Sequence, residues 1–160
     1  MEKTKAMSGD KTSDLFSEND RLKIKETVAE AEKNTSGEIR VVIHSCYSEG
    51  LESNIHAQAK HEFEKYGLGD TRDKTGILIL LVLEARKFMV WGDDGIHAKV
   101  PQGYWDVLAV GMTAHFKENN YALGICEAVA EVGKRLAEFF PRKQDDTNEL
   151  SDDVIVEEEK

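Results

Sequence analysis

The chain has 160 residues, enough for one domain with a substantial core, and it carries 21 Lys and Arg against 31 Asp and Glu, a formal net charge of −10. That balance argues against a nucleic-acid or anionic-membrane surface and points instead to cations or basic partners. The N-terminal stretch MEKTKAMSGDKTSD lacks an apolar h-region, no run approaches the roughly 18 apolar residues of a membrane span, and the two cysteines form neither a CxxC pair nor a disulfide framework, so the expectation is a cytoplasmic protein without membrane insertion.

Residues 1–14 are polar and read as a flexible N-terminus. LFSEND then starts a helix, with Ser17 as N-cap, Asp20 three positions on and Phe16 ready for a hydrophobic contact; Leu22, Ile24, Val28, Ala29 and Ala31 continue it until NTSG. EIRVVIHSC (38–46) is β-branched and puts Ile39, Val41 and Ile43 on one face, so it reads as a strand. Ile55, Ala59, Phe63 and Tyr66 recur at helical spacing in a second helix that ends at GLG. GILILLVL (76–83) is apolar at every position but the first, the pattern of a strand covered on both faces.

Glu84 and Ala85 are the only plausible turn before RKFMVW resumes an extended pattern, which predicts a hairpin. Pro101 suits a first helical turn, followed by Tyr104, Trp105, Leu108, Met112, His115 and Phe116; a last helix covers residues 121–140 and stops at Pro141. The predicted order is α-β-α-β-β-α-α, with a parallel pair from the β-α-β unit and an antiparallel strand from the hairpin. Residues 15–142 are therefore expected to form the α/β domain. The remaining stretch, 143–160, is acidic and poor in core-forming residues, and reads as a disordered tail that folding does not require; addition of its VIV to a partner's sheet edge is the lesser alternative.

The chain has no GxGxxG, Walker A, HExxH, GxSxG or EF-hand loop. DKTG (73–76) matches the phosphorylated tetrapeptide of P-type ATPases, but there the aspartate follows a strand, whereas Asp73 precedes one, so the match is read as coincidence. His56 and His61 are five apart, on different helix faces, and His44, His97 and His115 are isolated; no histidine is assigned a ligand role.

The carboxylates give the stronger signal. A two-residue turn at Glu84 and Ala85 sets Leu78 opposite Trp91, Gly76 opposite Asp93 and Thr75 opposite Asp94. Asp73 then meets Asp93 and Asp94 at the open end of the hairpin, Glu38 starts the neighbouring parallel strand at the same edge, and Asp70 lies in the preceding loop. Turn and capping roles account for either Asp93 or Asp94 taken alone. Together these carboxylates form an acidic rim whose mutual repulsion, a few kcal/mol per pair at ~4–6 Å and an effective dielectric near 20, calls for water, Arg72, Lys74 or a bound cation. Calcium fits best, since it takes carboxylate, loop-carbonyl and water oxygens.

In order along the chain, TSGEIRVVIHS, FEKYGLGDTRDKTGILILLV, RKFMVWGDDGI and FKENNYALGICEAV resemble the TPM-domain family, which includes thylakoid-lumen phosphatase-like proteins and bacterial domains of unknown function, over roughly residues 15–141. The resemblance implies a three-layer α/β/α sandwich with a small mixed central sheet. It also implies a calcium-capable acidic site that maps onto Asp73, Asp93 and Asp94, with Glu38 and Asp70 beside them. The leading expectation is a stand-alone module that binds a divalent cation and presents a surface to a protein partner. A metal-dependent acid phosphatase, in which Arg72 or Lys74 would hold the phosphate, and a ligand-free structural domain are the alternatives.

Overall fold

The structure, a computed structural model, describes residues 15–142 and 154–157. Its first helix, α1 (Glu18–Glu32), opens as the sequence predicts: Ser17 Oγ accepts from the Asp20 amide and Asp20 Oδ2 from the Ser17 amide, both at 3.0 Å. There follow β1 (Glu38–His44), α2 (Ile55–Lys65), a 3-10 turn at Leu68–Asp70, β2 (Gly76–Val82) and β3 (Lys87–Gly92). Then come a short helix α3 (Asp94–His97), α4 (Tyr104–Lys117), α5 (Tyr121–Phe139) and a final strand β4 (Ile155–Glu157).

The strands form one mixed sheet in the order β3-β2-β1-β4, with β1 parallel to both β2 and β4 and β3 antiparallel to β2. Strand alternation divides the core. Ile39, Val41, Ile43, Ile77, Ile79 and Leu81 pack against α1, α4 and α5, whereas Val42, Leu78, Leu80 and Val82 pack with Ala59 and Phe63 of α2. The result is the expected three-layer α/β/α sandwich. Every residue of β1 and β2 is buried, so the two central strands lie at the middle of the core. Among the described residues no helix is long and apolar enough to cross a membrane.

The predicted hairpin register is the observed one: Leu78 lies opposite Trp91 and Ile77 opposite Gly92. Its turn has no glycine, and Arg86 takes the left-handed conformation (φ 57°) while its amide bonds Leu83 O at 3.1 Å. The helix expected to begin at Pro101 starts instead at Tyr104. Pro101 belongs to the turn before it, and Gly103 supplies the positive φ of 85° that re-aims the chain.

The tail departs most from expectation. Residues 143–153 and 158–160 lie outside the described residues, but 154–157 are not a solvated tail: β4 pairs with β1 of its own sheet, Val42 beside Ile155 and His44 beside Glu157. Parallel pairing covers the outer backbone edge of β1 from Val42 to His44, Ile155 joins the apolar layer under α2, and Lys65 bonds Glu157 at 3.1 and 3.3 Å. A local composition window sees only the acids and misses the open edge waiting for a β-branched segment.

Candidate functional site

At the amino ends of β1 and β2, backbone hydrogen bonds join three separate segments. The Asp93 amide bonds Gly76 O at 2.9 Å, the Gly95 amide bonds Lys74 O at 2.8 Å, and the Glu38 amide bonds Thr75 O at 3.4 Å. Residues 74–76 are thus held between Glu38 on one side and the GDDG segment on the other, as hairpin register requires. Gly95 permits this approach, because a Cβ there would sit 2.1 Å from Asp73 O and 2.5 Å from Lys74 O.

The side chains on this edge play different parts. Asp93 caps α3, its Oδ1 accepting from the Asp94 amide at 2.8 Å, while its Oδ2 is buried and has no hydrogen-bond partner among the described residues. Asp94 is exposed. Asp73 is partly buried, with Oδ2 3.5 Å from Ser36 Oγ and 3.7 Å from Arg72 Nε. Glu38 is buried at the start of β1. Lys74 points away, its Nζ donating to Gly69 O at 2.8 Å. Asp70 is exposed in the 3-10 turn, and its Oδ2 folds back over Gly67, 3.4 Å from where a Cβ would stand. Glu38, Asp73, Asp93 and Asp94 are therefore brought to one edge by the backbone, and Asp70 stands outside them.

A second polar cluster occupies the other end of β1, at the carboxyl ends of the parallel strands. Among the described residues, His44, Glu62 and Glu157 are the group of metal-ligating side chains whose ligand atoms all lie within 4.8 Å of one another. His44 Nε2 is 2.6 Å from Glu62 Oε2 and 3.9 Å from Glu157 Oε1. His44 and Glu62 are fully buried. Gln58, one turn before Glu62 on α2, donates to Glu62 Oε2 at 2.6 Å and to Ser48 Oγ at 3.0 Å. Burial alone would raise the Glu62 carboxyl, but the hydrogen bond and charge of His44, with Gln58 and Lys65, outweigh it and hold the group below its ordinary 4.5.

The model of the TPM domain matches residues 10–135. This chain belongs to the TPM domain family. The TPM domain is also similar, at 30% identity and a TM-score of 0.79, to the BA42 protein of the psychrophilic bacterium Bizionia argentinensis, solved by NMR; the match covers 88% of this chain and 94% of that one. A second NMR structure, the N-terminal domain of a protein from P. gingivalis, shares the fold at 23% identity and a TM-score of 0.64, over 81% of this chain and 83% of that one. No curated protein matches the chain.

Sequence reasoning placed the acidic edge of this TPM domain but passed over its second cluster. In the sequence His44 stands isolated, because one of its partners comes from the tail and the other from the buried face of α2. Half of the signal was present: Gln58 and Glu62 share the inner face with Ala59 and Phe63, and two polar residues at i and i+4 inside an apolar stripe demand a polar partner across the interface. The other four histidines do not alter the assignment: Trp105 Nε1 donates to His97 Nδ1 at 3.0 Å, His115 pairs with Glu127 at 2.7 Å, and His56 and His61 are exposed on α2.

Proposed function

We propose that this TPM domain binds a divalent cation, with calcium the best chemical match, at the acidic edge formed by Asp73, Asp93 and Asp94 with Glu38 behind them, and that it acts as a binding or regulatory module for a protein partner. The observation that carries this reading is Asp93 Oδ2, a buried carboxylate oxygen without a hydrogen-bond partner among the described residues, at the point where three backbone segments meet. Such an oxygen costs desolvation energy that a hard cation offsets, and the Asp73 and Lys74 carbonyls beside Gly95 are further oxygens of the type calcium takes. Asp70 would join only by turning away from Gly67. Neither Cys46 nor Cys126 is disulfide-bonded among the described residues, which supports the cytoplasm as the place of action.

Calcium titration followed by thermal melting tests the proposal. At free calcium ~100 times its dissociation constant, linkage gives about 2.7 kcal/mol, or roughly 5–10 °C for a domain of this size. Sodium chloride at matched ionic strength runs alongside, because a chain at −10 also gains from screening. Asp73→Asn and Asp94→Asn should each remove most of the calcium-specific difference. Equal shifts with calcium and sodium, or full retention of the effect in both variants, would leave these aspartates as turn and cap residues. The competing reading is a metal-dependent phosphatase, favoured by Arg72 standing 3.7 Å from Asp73. Robust metal-dependent hydrolysis of an aryl phosphate, abolished by Asp73→Asn with the fold intact, would establish that reading instead.

A further inference from the structure

We propose that His44, Glu62 and Glu157 form a second metal site, specific for a zinc-like transition ion, and that the ion clasps the C-terminal strand to the sheet. The site is separate from the acidic edge: His44 ends β1 and Glu38 begins it, about 20 Å apart at ~3.3 Å per residue.

The donor set is the first argument. One imidazole and two carboxylates suit zinc better than calcium, which takes oxygens only. Three ligands also leave a fourth position for water. Tetrahedral donors at zinc bond lengths stand about 3.3 Å apart. Here the distances from His44 Nε2 are 2.6 Å to Glu62 and 3.9 Å to Glu157, so one pair must open and the other close by about 0.6–0.7 Å. Side-chain rotation covers that change.

The surroundings are the second argument. Glu62 Oε1 is buried with no hydrogen-bond partner among the described residues, although Glu62 is fully enclosed. A pair that served only to satisfy itself would not leave a buried carboxylate oxygen unmatched beside it. Gln58 orients Glu62 from behind and is itself tied to Ser48, the outer hydrogen bonding that metal-binding carboxylates use. Glu157 is the partly exposed member and marks the entry side. The position also agrees with the general preference of open α/β sheets for ligands at the carboxyl ends of their parallel strands.

Binding requires two exchanges. The ion takes the His44 Nε2 lone pair and the neutral ring keeps its one proton on Nδ1, so any further proton between Nε2 and Glu62 Oε2 passes to solvent. Glu157, now held by Lys65, turns Oε1 inward. Because β1, α2 and β4 each contribute one ligand, the ion would tie the last strand to both the sheet and the helix above it.

The test is zinc titration of the full chain by calorimetry, together with long-range nitrogen NMR of the His44 ring and hydrogen exchange. The expected result is one zinc per chain at this site, a shift of the His44 Nε2 resonance that Nδ1 does not share, and at least tenfold slower exchange of the Ser45 amide, which bonds Glu157 O at 3.1 Å. Glu157→Gln, at a partly exposed position that leaves the fold intact, should weaken zinc at least tenfold, and cobalt should give the visible absorption of a four-coordinate site that this variant loses. An unmoved His44 ring, or zinc affinity unchanged in Glu157→Gln, would overturn the proposal. Zinc binding that survives Glu157→Gln but disappears in Asp73→Asn would assign the ion to the acidic edge.

Discussion

Gly95→Ala tests whether close backbone approach builds the acidic edge. Two effects oppose each other. Alanine is the better helix former by ~1 kcal/mol, and Gly95 lies in α3, so propensity alone predicts stabilisation. Against this, the new Cβ would stand 2.1 Å from Asp73 O and 2.5 Å from Lys74 O, both backbone atoms with no rotamer to yield. Relieving the overlap costs about 1–3 kcal/mol as overpacking, and separating the segments weakens the 2.8 Å bond from the Gly95 amide to Lys74 O by a further ~1 kcal/mol. The net expectation is a loss of about 1–3 kcal/mol, a fall of roughly 3–10 °C in Tm for a domain of this length. Gly111→Ala in α4 is the control, because nothing lies within 4 Å of its Cβ; there propensity acts alone and the variant should gain up to ~1 kcal/mol. Circular-dichroism melts and urea titrations of both variants measure the contrast. If Gly95→Ala is as stable as Gly111→Ala, the apposition of residues 73–74 to GDDG does not hold the edge together.

Truncation after Arg142 removes β4 with Ile155 and the Lys65 to Glu157 pair; set against the entropy of ordering the strand, it should lower stability by about 1–3 kcal/mol and speed exchange of the Ser45 amide, and an unchanged melt with unchanged exchange would mean that the strand contributes nothing to the fold. Cys126 is half-buried between α5 and α1, where desolvation raises its thiol above the ordinary 9.0 despite a contact from Thr27. A raised value means less thiolate at every lower pH, so in a Cys46→Ser variant alkylation at pH ~8 should run at least tenfold slower than for free cysteine. Labelling as fast as the free amino acid would contradict the packing of α5 on α1.

The elements legible in the sequence are those whose signal is periodic. The capping box at Ser17, the doubly buried run of β2 and the hairpin register all follow from spacing, and the register alone brought Glu38, Asp73, Asp93 and Asp94 to one edge. What escaped is decided across the chain. VIV at 154–156 is too short and too heavily flanked by acids to outweigh composition, and only the open side of β1 makes it a strand. Glu62 could be seen inside an apolar stripe, yet its partner His44 became identifiable only with the parallel register of β1 and the placement of α2. The short helix α3 escaped because four residues, Asp94–His97, are less than a period and a half and depend on the Asp93 cap.

The place of β4 has a consequence for how copies of this protein meet. A sheet that ended at β1 would offer neighbouring molecules seven buried-type residues with a straight row of unpaired amides and carbonyls, a template for cross-molecule strand addition. β4 occupies that row where it covers Val42, Ile43 and His44, and it is only three residues long. The chain around it carries Asp152, Asp153, Glu157, Glu158 and Glu159, so an incoming strand from another copy would bring like charge against like. The acids that disguise this segment in the sequence thereby keep a hydrophobic, largely β-branched core strand from becoming a seed for aggregation.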